Sequence, residues 1–126
     1  MNSVSTKNVG NEQDEWKSTL GFYKDELNVY KNRLTEVAGK NTSNEISSLV
    51  EHFQNQFLVQ GEKIDQLKHD IKRHAKTMGS EIQETADQIS AEHLGMHVQL
   101  KERVDTENKI FSELKEEFHG FLSRVM

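Results

Sequence analysis

The chain has 126 residues, room for one domain. It has no cysteine, which excludes disulfides and thiolate metal sites, and its net charge of −5 argues against general affinity for nucleic acid. A composition of 33% hydrophobic and 29% charged residues suits long helices with one apolar stripe each, and the lack of any proline removes the strongest breaker of helix interiors.

Residues 1–10 read as a flexible N-terminal tail, and 11–126 as a single helical-bundle domain. The opening segment MNSVSTKNVGNEQDE is polar and lacks the apolar stretch of a secretory signal. No apolar run approaches the roughly 18 residues that span a bilayer. The expectation is a cytoplasmic protein without a transmembrane segment.

The first apolar series is Trp16, Leu20, Tyr23, Leu27, Tyr30, Leu34 and Val37. Its steps alternate four and three, the heptad pattern of a helix that packs on other helices. Gly39 is placed to end it. Thr42 and Glu45 then have the spacing of a capping box.

The second series runs Ile46, Val50, Phe53, Phe57, Gln60, Ile64, Leu67, Ile71, His74, Met78, with only Gln60 and His74 polar. Gly79 is read as its end and Ser80 as the cap of a third helix, with Glu81 and Glu84 near the positive N-terminus. The third series is Ile82, Ala86, Ile89, His93, Met96, Leu100, then Val104, Glu107, Phe111, Leu114, Phe118, Phe121, Val125. Its phase slips by one residue near Arg103. Gly95 alone is a weak breaker, so this is one long helix.

Short turns between long helices force antiparallel neighbours. The predicted fold is all-α, an antiparallel, coiled-coil-like, up-down-up bundle of three long helices. Helices of about 28, 36 and 45 residues make the third the longest, and its C-terminal end overhangs the others. With turns near residues 40 and 80, Lys72 falls beside Asp87, Lys76 near Glu84 and Lys68 near Glu92. Gly21, Gly61 and Gly95 come to one height.

Within LKHDIKRHAKTMGS, the segment from His69 to Ser80 is similar to histidine-containing phosphotransfer domains at His69, Ile71, Lys72, Ala75, Met78 and Gly79. The resemblance covers about 12 residues. It implies that His69 accepts a phosphoryl group and that Lys72 helps to hold its charge. Arg73 stands where that motif has a glycine. Otherwise the stretch is a basic last turn that complements the helix dipole.

His93 and His97 are one turn apart, the spacing at which two imidazoles grip one metal ion, with Glu62 or His69 as neighbours on the second helix. Glu116 and His119 form only one of the two Glu-x-x-His elements that a di-iron bundle needs. Histidines hydrogen-bonded at the core edge are the simpler expectation, and no metal or cofactor is assigned. The glycine layer, with Gln60, His93, His97 and Met96, suggests a small polar pocket, or room for Trp16, Phe22 or Phe57. The basic group Lys68, Lys72, Arg73 and Lys76 lacks the interleaved aromatics of a nucleic-acid surface. No phosphate loop or nucleophile elbow is present.

Phe118, Phe121, Leu122 and Val125 would be exposed on an overhanging end, and a soluble chain covers such a surface by association. The expectation is therefore a non-enzymatic helical-bundle protein that acts through protein–protein contacts. It would be a homo-oligomer or the partner of another helical protein, with these four residues as the interface.

Overall fold

A computed structural model describes the backbone of residues 6–85 and 90–125 and the side chains of residues 8–77 and 90–125. It contains three helices: α1 (Thr6–Lys40), α2 (Asn44–Thr85) and α3 (Ala91–Val125). Lys24 Nζ meets Asp65 Oδ2 at 3.0 Å, and Leu27 lies against Gly61. His52 Nε2 meets Glu117 Oε1 at 2.9 Å, and Arg103 Nη1 meets Asp70 Oδ2 at 2.9 Å. Residue numbers rise along α2 as they fall along α3, so these two are antiparallel. Tyr23 reaches Asn108 and Glu26 reaches Lys115, so α1 and α3 run in the same direction. The up-down-up three-helix bundle is the observed fold.

The seams are more regular than the sequence reading. On α1 the buried positions are Val9, Gln13, Trp16, Leu20, Leu27, Tyr30, Leu34 and Val37, with half-buried Tyr23 in step. The four–three alternation therefore begins inside the segment read as a tail. On α3 the buried set is His97, Leu100, Val104, Glu107, Phe111, Leu114, Phe118 and Phe121. With His97 in the seam in place of Met96, no phase slip remains. Met96 is exposed.

The ends of the elements also differ. Ser43, not Thr42, caps α2: its Oγ accepts the Ile46 N–H at 3.3 Å and its carbonyl accepts the Ser47 N–H at 2.9 Å. Helix α2 continues through Gly79 and Ser80, and as described it is the longest at 42 residues, against 35 each for α1 and α3. A lone glycine costs about 1 kcal/mol in a helix, and without proline nothing forces a break. The cap of α3 is Ser90, whose Oγ accepts the His93 N–H at 3.2 Å. The expected partners Glu84 and Asp87, and the seam positions Met78, Ile82, Ala86 and Ile89, lie outside the described side chains.

This later turn slides α3 along the bundle. Arg103, rather than Glu92, comes beside the Lys68–Asp70 level of α2. Val125 ends beside Glu36, Val37, Lys40 and Asn41, so α3 stops level with the α1–α2 turn and does not overhang. Phe118 (0% exposed) and Phe121 (1%) are core residues, and Leu122 and Val125 are half-buried against that core. Phe118, Phe121, Leu122 and Val125 therefore do not form the exposed overhanging face that was expected: the two phenylalanines fill the internal seam and the other two flank it. The glycine layer dissolves too. Gly61 faces Leu27, well past Gly21, while Gly95 sits two residues from His97, which touches Glu12 and Trp16.

Among the described residues, no helix is long and apolar enough to cross a membrane.

Candidate functional site

Polar residues enter the seams at two heights, and these are the positions where the bundle departs from an apolar core. The first lies near mid-length. Gln60 on α2 and Glu107 on α3 are both buried. With the Gln60 amide oriented by its partner, its nitrogen donates to the Glu107 carboxylate oxygens at 2.7 and 3.1 Å. Burial pushes the Glu107 carboxyl up to about 7, and Lys63 opposes the shift. On the α1 side, the Tyr23 hydroxyl donates to Asn108 Oδ1 at 2.8 Å. Burial, then Glu26 and Glu107, raises the Tyr23 phenol above its ordinary value. Outside this layer a groove of about 590 Å³ runs between α2 and α3, with Lys63, Glu102 and Arg103 on its walls and Leu67 and Ile110 as its apolar part.

The second height lies at the far end, where α1 begins. His74 from α2 and His97 from α3 are buried at 3% and 4% exposure. The His74 ring lies 5.9 Å from that of His93 and 6.1 Å from that of His97, centroid to centroid. Trp16 from α1 stacks on His97 at 4.6 Å. Glu12 Oε1 approaches His97 Nε2 to 3.5 Å. That pair does not form a hydrogen bond, and both ring nitrogens of His74 and of His97 are buried without a hydrogen-bond partner. Burial lowers the His74 pKa first, and proximity to His97 and then His93 lowers it further, so His74 is held neutral.

The structure thus separates residues that the sequence reading had joined. Gln60 belongs with Glu107, ten residues along α3 from His97, or about 15 Å at the helical rise. It shares no pocket with His93 and His97. The α2 residue that faces the histidine pair is His74, not Glu62 or His69. His74 was legible as a seam position, but its neighbours depended on where the α2–α3 turn falls.

His69 and Lys72 are exposed and sit with Lys17, Asp65 and Lys68 along a groove of about 450 Å³ between α1 and α2. Lys17 is a cation that the resemblance to phosphotransfer domains had no means of supplying. Glu116 and His119 are exposed, and His119 turns its ring edge-on to Tyr30. Among the described residues, no group of three or more histidine or acidic side chains is placed to hold a metal ion.

Comparisons with protein-family models, with curated proteins and with solved structures give no match.

Proposed function

We propose that the protein is a non-enzymatic, cytoplasmic helical-bundle module that acts through protein–protein contacts. Its partner is a second copy of the chain, and the contact face is the outward side of α1. With Phe118 and Phe121 consumed by the internal core, the contact must come from elsewhere.

The observation that carries the reading is the pair Phe22 and Val29, exposed at 59% and 56%. They are seven residues apart, so they stand two turns apart on one helix face, opposite the seam of Leu20 and Leu27. Gly21 adjoins them. A Cβ built on it meets nothing within 4 Å, so packing within the chain gives no reason for a glycine there. A bare Cα beside an exposed aromatic suits the close approach of another helix, and a two-fold axis lets one such face cover its copy. The phosphotransfer alternative at His69 gains Lys17 but keeps Arg73 in the place of the motif's glycine, and ranks second.

The test is solution mass by light scattering for the wild-type chain and for Phe22→Glu/Val29→Glu. The expected result is a dimer for the wild type and a monomer with unchanged helical content for the variant. A monomeric wild type, or a variant that keeps the dimer mass, overturns the proposal.

A further inference from the structure

We propose that His74 is an acid trigger. When its ring takes up a proton, the end of the bundle where α1 begins opens, while the aromatic end stays folded.

The first support is the way the ring is buried. His74 is a seam residue of α2 at 3% exposure, and neither of its ring nitrogens has a hydrogen-bond partner. A buried polar atom without a partner weakens a fold, and an apolar residue at this seam position would avoid the cost. Packing therefore gives no reason for a histidine here. Histidine is, however, the side chain that mild acid converts from a neutral ring to a cation.

The second support is the set of charges that faces the ring. From α3 come His97 and His93, with ring centroids 6.1 and 5.9 Å away. Beside it a groove of about 270 Å³ between α2 and α3 carries two cations, Arg73 and Arg103, and one acid, Asp70. Both Asp70 oxygens are engaged: Oδ2 meets Arg103 at 2.9 Å, and Oδ1 accepts the Gln66 amide at 3.0 Å. From α1 comes Glu12, but its carboxylate stands at His97 Nε2, 3.5 Å away. A proton on His97 would thus meet a counter-charge. A proton on His74 would meet two imidazoles, two guanidinium groups and an acid already shared. Turning the charged ring into the groove brings it toward the arginines, so separation of the helices is the relief that remains.

The direction of the pH response follows. Burial first, then His97 and His93, lowers the His74 pKa in the closed bundle, whereas the opened end restores the ordinary value of 6.5. Above pH 6.5 neither form is protonated and closure is fully favoured. As pH falls below 6.5 the open form gains a proton that the closed form refuses, and closure weakens down to the closed form's own pKa. Glu107, at mid-length, has the opposite sign, since burial raises its pKa and its closed form holds the proton. Global unfolding mixes the two, so the test needs a local probe. Trp16 is the only tryptophan, and it stacks on His97 at 4.6 Å.

The experiment takes the full chain from about pH 8 to about pH 5. It follows Trp16 emission, helical content, and amide protection factors, which remove the intrinsic pH dependence of exchange. Below pH 6.5, protection in residues 9–16, 71–77 and 93–100 should fall by up to about tenfold per pH unit, the limit for one proton taken up on opening. Trp16 emission should move to longer wavelength over the same range, while residues 50–60 and 111–121 keep their protection. His74→Leu should abolish both responses, and His74→Gln, which also takes no proton, decides if the leucine variant does not fold. His52→Gln, an exposed site on α2, should leave them unchanged. A wild type whose Trp16 emission and protection stay constant to about pH 5 overturns the proposal, as does equal loss of protection at both ends. The wild-type response persisting in the His74 variants also overturns it and moves the trigger to His93 or His97.

Discussion

A carboxyl group in a helix seam must find donors or give up its charge, and Glu107 does some of both. Gln60 donates to it, and burial, opposed by Lys63, pushes its pKa up to about 7. A folded-state value above the ordinary 4.5 means that the native protein holds this proton more tightly than the unfolded chain does. The associated stability is fully present below about pH 4.5 and is lost as pH rises through 7. Glu107→Gln keeps the hydrogen bond to Gln60 without the charge. It should therefore stabilise the bundle by on the order of 2 kcal/mol at pH 8 and change it little at pH 4. Urea unfolding of both proteins at the two pH values measures this, and an equal difference at both would refute it. Such a polar pair contributes little net stability, but it penalises any sliding of α2 against α3 that would leave the carboxylate facing an apolar neighbour.

At the scale of the helices, the apolar residues alternate by four and three along all three elements, and that spacing alone made the fold legible. The errors arose where two cues competed. The alternation read forward from Ile82 through His93 leads to Met96, whereas read back from Val104 and Leu100 it leads to His97, the residue that α3 buries. Turn chemistry favoured a stop at Gly79 and Ser80, although cooperative helix propagation carries α2 past both. Moving that one turn changed the register of α3. This is why His93 and His97 were visible as a pair while His74 was not placed beside them, and why Phe118 and Phe121 were expected outside. The α1–α2 turn offers a clean test of capping. Ser43→Ala removes the acceptor for the Ile46 N–H and should cost about 1 kcal/mol. Thr42→Ala, at the position the capping-box spacing indicated, should stay within about 0.5 kcal/mol of wild type. Denaturant midpoints distinguish the two, and a larger loss at Thr42 would return the cap to it.

Over the whole molecule, the core is uneven from end to end. Around the α1–α2 turn, Phe118 lies 5.2 Å from Tyr30, 5.2 Å from Phe53 and 5.0 Å from Phe57, ring to ring, and Phe121 extends the cluster. Truncating one such phenylalanine costs about 3–5 kcal/mol, a large part of the 5–15 kcal/mol that holds a typical domain together. The opposite end fills the same seam positions with Gln13, His74 and His97, whose burial recovers far less apolar area and leaves ring nitrogens unsatisfied. Local opening should therefore be easiest at the histidine end. Amide hydrogen exchange should be slowest in residues 30–37, 50–60 and 111–121. In residues 9–16, 71–77 and 93–100 it should be about a hundredfold faster, equivalent to about 3 kcal/mol less protection. Exchange at one rate along all three helices would mean that the bundle opens only as a unit and that the polar layer carries no local weakness. Faster exchange at the aromatic end would mean that the seam assignments of α3 are wrong.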